Sequence, residues 1–263
     1  MSSFNSRLKK LVEQKQSWLC VGLDMNPESL GNDNLSSLKD HTFKVIDATR
    51  EHAIAYKPNF AFFERWGAVG FAWLEETVTY IGKDHIKIAD AKRGDIGNTA
   101  NQYAKSIFDH FGFDSVTLNP YMGSDSVLPF LDREEKGAFI LCRTSNSSAS
   151  ELQDSLIDDD PLYLHVAQLI NGLNDNDNVG MVVGATAPDE LAKIRDAAPG
   201  IPMLIPGVGA QGGDLSQSLR EGNRSGTGII NVSRGISFVG DMSERSIHSA
   251  AANYVEQMRE VLG

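Results

Sequence analysis

Cysteine is scarce: there are two in 263 residues, Cys20 and Cys142. Two thiols cannot build a disulfide framework. Both sit in short apolar runs, Trp18-Leu-Cys-Val and Phe139-Ile-Leu-Cys, so they are expected to be buried thiols of a reducing compartment. Long hydrophobic runs are missing as well. No uninterrupted apolar stretch approaches the roughly 18 residues of a membrane span. Residues 1–17 are polar, carry Lys9, Lys10 and Lys15, and lack the apolar centre of a signal peptide. Positive charge is in deficit: 24 Lys and Arg stand against 35 Asp and Glu, a net charge of −11. A broad basic face for nucleic acid or an anionic membrane is thereby excluded, while a small anion held by one or two local cations is not. The expectation is a cytoplasmic protein with no nucleic-acid and no membrane partner.

What is present is a globular composition, 41% hydrophobic and 22% charged, too apolar for disorder. Short apolar runs of strand length alternate with longer stretches of helical period. Strands are expected at residues 18–24, 53–59, 85–92, 115–119, 138–143, 179–186, 202–207 and 229–234. Helices are expected at residues 38–52, 62–82, 98–111, 124–136, 161–173, 188–197, 214–221 and 244–262. Pro161 and Pro188 stand where a first helical turn tolerates proline. The strands read as continuous apolar runs, as when both faces are covered. Such alternation fits a doubly wound open sheet or a (β/α)₈ barrel. The second needs about 250 residues, and eight units closing on themselves account for the whole chain as a single α/β domain over residues 1–263, with a short helical N-terminal extension of about 1–17. The acidic stretch 151–160 reads as a solvated lead-in to a helix, and the Asn174-Asp-Asn-Asp-Asn178 segment as a solvated loop, since it lacks the glycine and glutamate of a calcium loop.

In a barrel, chemistry gathers where strands end. Strand one ends in Asp24, strand two in Lys57-Pro-Asn59, and strand three in Asp90-Ala-Lys92-Arg-Gly-Asp95. Asp90 and Lys92, two apart on a strand, point to the same side. An ammonium such as Lys57, flanked by apolar residues, calls for a carboxylate partner. On charges alone, Lys57, Asp90, Lys92 and Asp95 suit either a catalytic set or a structural ion-pair network. Strand seven runs into Pro206-Gly-Val-Gly-Ala-Gln-Gly-Gly213 and strand eight ends with Arg234. Glycines let backbone N–H groups approach a phosphate, and Arg234 can grip it through two donors; a merely flexible turn is the plainer reading. The six histidines show no zinc spacing and are expected to be structural. Trp18, Trp66 and Trp73 read as packing residues, and Arg93 as a residue that solvates its loop or contacts a partner subunit.

The run Asp90-Ala-Lys-Arg-Gly-Asp-Ile-Gly-Asn-Thr99 resembles the signature of the orotidine 5′-phosphate decarboxylase family. Lys57-Pro-Asn, Asn119-Pro-Tyr-Met-Gly, Cys142-Arg-Thr-Ser-Asn, the glycine-rich run from Pro206 and Asn231-Val-Ser-Arg-Gly are similar to its other motifs, in order, most closely to those of its longer bacterial branch. Ser147-Ser148 departs from the Pro-Gly expected there. The resemblance implies conversion of orotidine 5′-monophosphate to uridine 5′-monophosphate and CO₂ in pyrimidine biosynthesis, with no cofactor and no metal. It also implies a homodimer with shared active sites. It assigns proton delivery to Lys92, a place beside the departing carboxylate to Asp90, and the charge network and ribose to Lys57. Asp95, with Ile96 and Thr99, would reach the partner's site. Asp24 would hold the ribose, Ser145 would read the pyrimidine, and Pro206, Gln211, Ser233 and Arg234 would surround the phosphate under a lid at residues 207–214. Two other readings stand beside it: a metal-dependent sugar-phosphate decarboxylase or aldolase of the same superfamily, which would share Asp90, Lys92, Asp95 and the phosphate site but calls for a carboxylate where Lys57-Pro-Asn59 stands, and a non-catalytic nucleotide-binding protein.

Overall fold

The computed structural model describes residues 2–186, 188–208 and 212–263. Among them, eight parallel strands close a barrel: β1 Leu19–Leu23, β2 Ala55–Pro58, β3 Ile86–Arg93, β4 Ser115–Leu118, β5 Gly137–Arg143, β6 Val179–Val183, β7 Met203–Pro206 and β8 Gly228–Val232. Closure is direct, because β1 pairs with β8 through Leu19↔Ile230, Cys20↔Asn231 and Val21↔Val232. The open sheet is therefore excluded. β1, β2, β4, β6 and β8 are buried at every position, as parallel strands covered by helices should be.

The barrel is filled rather than hollow. Cys20, Ile54, Ile88, Phe139, Val182, Leu204 and Ile229 form an inner cluster, and the helix Phe4–Lys15 adds Phe4, Leu8 and Val12 to it. Phe4 meets Phe139 edge to face at 5.9 Å. Glycine makes room for this plug: a Cβ at Gly137 would lie 2.2 Å from the Phe4 ring. The Asn174–Asn178 segment serves the same end of the molecule. The expectation of a solvated loop fails for Asn178, which is fully buried and donates to the carbonyls of Leu131, Arg133 and Lys136 at 3.0 Å each. Asp177 accepts from the backbone N–H of Asn5 and from the hydroxyls of Ser3 and Ser6, tying the N-terminal helix down.

Several expected helices are reshaped for local reasons. Residues 124–136 form two short 3₁₀ turns, Ser124–Ser126 and Leu128–Phe130, because Pro129 lacks an N–H and clashes with a continuing turn. The 62–82 stretch is two helices, Phe60–Glu64 and Gly67–Ile81, broken before Gly67 at φ +60°. Asn34 caps the helix Leu35–Thr49 by accepting from Ser36 and Ser37, so that helix starts and ends three residues early. The helix Gly97–Lys105 passes into a π-turn, Ser106–His110. The acidic stretch holds a short helix, Ser150–Gln153, and a small hairpin, Leu156–Ile157 with Asp160–Pro161. Cys20 and Cys142 are unpaired and buried. No helix among the described residues is long and apolar enough to cross a membrane.

Candidate active site

The strand ends converge on one charged set. Lys57, on β2, donates from Nζ to Asp90 Oδ2 at 2.5 Å, and Lys92 donates from Nζ to Asp90 Oδ1 at 2.5 Å. One carboxylate thus holds two ammonium groups, one on each oxygen. Lys57 is 5% exposed and Asp90 8%, whereas the Lys92 side chain is 52% exposed, so the charges run from the barrel interior to its open rim. Burial is the largest influence on Lys57 and acts to neutralise it. The carboxylates of Asp90 and Asp24 outweigh burial and hold the ammonium above its ordinary value. Burial likewise pushes the Asp90 carboxyl up, but Lys57 and Lys92 prevail and keep it well below the usual carboxylate range. Removing one partner from such a set leaves an uncompensated buried charge, at a cost of about 3–5 kcal/mol.

Simple strand alternation does not aim Lys92. The pairing of β3 with β4 shifts register between Ala89 and Arg93, and Lys92 adopts φ +46°, a left-handed conformation that costs a non-glycine residue about 1–3 kcal/mol. Thr117 on β4 holds the kink. Its hydroxyl accepts from the N–H groups of Ala91 at 3.1 Å and Lys92 at 3.0 Å, and donates to Asp90 Oδ1 at 3.2 Å. Sequence reasoning passed over Thr117, since a β-branched residue in a strand carries no special signal.

Two recesses meet at this set. A cavity of about 490 Å³ is lined by Lys57, Asp90, Lys92, Thr117, Leu141, Thr144, Ser145, Asn146, Gln153, Val182, Leu204 and Pro206. A second, of about 200 Å³, is lined by Asp24, Lys57, Asp90, Pro206, Gly207, Val208, Asn231, Ser233 and Arg234. Lys57, Asp90 and Pro206 border both. The larger recess has a broad apolar wall and suits a flat ring; the smaller is mainly polar. In the smaller one, Asp24 Oδ1 and Ser233 Oγ are buried with no hydrogen-bond partner among the described residues, the condition of groups that await a ligand. Arg234 is exposed and opens the helix Arg234–Ser237. Val208 pairs with Gly213, and Gly213 donates to the Gly207 carbonyl at 3.1 Å. A Cβ at Gly213 would fall 2.6 Å from that of Ala185, so this turn needs glycine there.

The structure therefore brings together Asp24, Lys57, Asp90, Lys92, Ser145, Pro206, Ser233 and Arg234. Asp95, Ile96 and Thr99 line neither recess. Asp95 accepts from the Ile96 N–H at 2.8 Å, and Ile96 is 49% exposed. Gln211, with the middle of the expected lid, lies outside the described residues. Arg93 neither solvates its loop freely nor stands alone: it donates to Glu64 at 3.1 Å and stacks on Phe60 and Tyr103. Gln153, within the stretch read as solvated, clamps the loop after β5. It accepts from the Thr144 N–H at 2.9 Å and donates to the Thr144 hydroxyl at 2.8 Å.

Fold and rim together define the class: a (β/α)₈ barrel of the enzyme type, its polar groups at the C-terminal face. Comparison with known proteins narrows it. Residues 17–245 match the model of the orotidine 5′-phosphate decarboxylase / HUMPS family. An orotidine 5′-phosphate decarboxylase of Halorubrum lacusprofundi is 50% identical over 92% of this chain and 90% of its own. Orotidine 5′-phosphate decarboxylase from Leishmania donovani superposes with a TM-score of 0.89 at 38% identity, covering 98% of each chain. The UMP synthase of the same organism gives a TM-score of 0.91 at 40% identity, and this chain spans 57% of that longer one. The chain belongs to the orotidine 5′-phosphate decarboxylase / HUMPS family.

Proposed function

We propose that this chain is a cytoplasmic carboxy-lyase that converts orotidine 5′-monophosphate to uridine 5′-monophosphate and CO₂ without metal or organic cofactor. The observation that carries the reading is the Lys57–Asp90–Lys92 set at the junction of a ring-sized and a polar recess. The pyrimidine fits the larger recess beside Ser145. The ribose meets Asp24 and Lys57 where orphaned acceptors already face the smaller one. The phosphate lies toward Arg234, Ser233 and Pro206, with Gln211 offered as a further binding residue.

The chemistry follows from the charges. The bond from C6 to the carboxylate breaks, CO₂ leaves and the electron pair stays on C6. Nothing in a pyrimidine ring absorbs that pair cheaply, so a cation must be fixed nearby beforehand. Two unit charges 4 Å apart interact by about 4 kcal/mol at an effective dielectric of 20. Lys92, the exposed end of the set, supplies this interaction and then transfers its proton to C6; solvent reprotonates the amine. Asp90 keeps Lys92 charged and aimed, and faces the departing carboxylate. Phosphate binding at a distance supplies the energy that holds this arrangement closed.

A homodimer with shared sites accounts for the residues that line no recess. Asp95, Ile96 and Thr99 follow β3, and Ile96 there and Tyr121 and Met122 in the loop after β4 are exposed, Tyr121 to 80%. Apolar groups left bare in this way suit a subunit contact. The metal-dependent reading calls for a carboxylate near the end of β2, where this chain has Lys57-Pro-Asn59. The deciding experiment adds orotidine 5′-monophosphate in EDTA and follows the ultraviolet change of its chromophore, for the wild type and Lys92→Ala. Turnover by the wild type alone, with nucleotide binding kept in the variant, is expected. Loss of wild-type turnover in EDTA would favour the metal-dependent enzyme, and binding without turnover would favour the nucleotide-binding protein.

A further inference from the structure

The first and last helices of the barrel, Leu35–Thr49 and Glu244–Leu262, pack side by side. Glu51 and His52 follow the first and lead into β2; His248 projects from the other. His52 Nε2 lies 3.3 Å from His248 Nε2 and 3.2 Å from Glu51 Oε1, and His248 Nε2 also contacts Glu51 Oε1. The three ligand atoms all lie within 4.8 Å of one another.

Hydrogen bonding satisfies this triangle poorly. A single ring nitrogen carries either a proton or a lone pair, never both. If both rings donate to Glu51, two N–H groups confront each other at 3.3 Å. If one ring accepts, its lone pair faces the carboxylate oxygen. A cation at the centre resolves the conflict, because each of the three atoms then offers it a lone pair. Zn–N bonds of about 2.0–2.1 Å in a tetrahedron set neighbouring ligand atoms about 3.3–3.4 Å apart. The two rings stand at 3.3 Å and His52 lies 3.2 Å from Glu51, close to that spacing, whereas the shorter His248–Glu51 contact has to open when an ion enters. Two imidazoles and a carboxylate suit zinc or a neighbouring transition ion rather than calcium or magnesium. The His52 side chain is 17% exposed, that of His248 46% and that of Glu51 66%. A fourth ligand can therefore come from water. Lys15 and Arg259 are the nearby cations, and each is tied to backbone carbonyls.

We propose that Glu51, His52 and His248 form a zinc site that pins the first helix of the barrel to the last. The site is separate from the rim described above: His52 precedes Lys57 by five residues, roughly 15 Å along an extended strand. It is a structural site, and it stands or falls independently of the proposed activity.

The test uses the full chain, freed of metal by a chelator and titrated with Zn²⁺ alone against a chromophoric competitor. One equivalent is expected to bind and to raise the melting temperature, since metal binds only the folded state. His248→Ala should weaken binding by at least about a hundredfold, more than outer-sphere changes do, and abolish the thermal shift. Glu51→Gln keeps both rings and should lose about tenfold. Co²⁺ in place of Zn²⁺ should give the intense visible bands of a tetrahedral centre in the wild type and lose them in His248→Ala. Failure of the wild type to bind one equivalent, unchanged binding in both variants, or an octahedral Co²⁺ spectrum would each overturn the proposal.

Discussion

Thr117→Val tests the claim that a strained backbone at Lys92 is held in place from the neighbouring strand. Valine keeps the shape and removes the hydroxyl. Three contacts go with it: the acceptor for the Ala91 and Lys92 N–H groups, and the donor to Asp90. A buried donor left without a partner costs about 1–3 kcal/mol. The Lys92 side is partly open to water, so we expect a total of about 2–4 kcal/mol. For a domain of this size, each kcal/mol lowers the melting temperature by roughly 2–4 °C, giving a fall of roughly 5–15 °C. The freed backbone relaxes from φ +46°, and Lys92 moves off its aim. A displacement of about 1 Å costs on the order of a hundredfold in rate. Calorimetry and the chromophore assay measure the two effects separately. Thr117→Ser, which keeps the hydroxyl, should retain most of both. If Thr117→Val melts like the wild type and turns over within about twofold of it, the hydroxyl is not what holds the kink.

Two further outcomes are expected. Arg234→Ala should weaken uridine 5′-monophosphate by about 1.5–3 kcal/mol, the worth of hydrogen bonds to a charged group, and leave uridine almost unchanged; equal loss for both in a binding titration would remove the phosphate from Arg234. Mixing Asp95→Ala chains with Lys92→Ala chains should restore part of the activity that each lacks, because a mixed dimer regains one intact site. No recovery, with subunit exchange confirmed by mass spectrometry, would count against sites shared across an interface.

Much of this was legible before any coordinates. Continuous apolar runs at regular spacing mark eight buried strands, and reading the residue after each places Asp24, Lys57, Asp90, Lys92 and Arg234 on one rim. Closure itself was not legible from periodicity, since an open sheet has the same local pattern; length and the resemblance favoured the barrel. The helix expected over 124–136 ignored Pro129, a breaker that stood in plain view. The kink at Lys92 was hidden for another reason: it is stabilised by Thr117, 25 residues away, and no local rule reaches across strands. The histidines show the same limit. A scan for short zinc spacings cannot see His52 and His248, which are 196 residues apart and meet only because the ring closes. Asn178 misled through its polar neighbours, although a lone buried amide binding three carbonyls is what the floor of a barrel requires.

The pairing of β1 with both β2 and β8 has a consequence for synthesis on the ribosome. As the polypeptide emerges, its earliest strand finds one neighbour soon, at Ala55, but the other only once Gly228 has left the exit tunnel. Until then one edge stays unzipped, and the aromatic stopper at position 4 has no finished ring to close. Nascent fragments of this protein should therefore lean on chaperones until β8 has emerged.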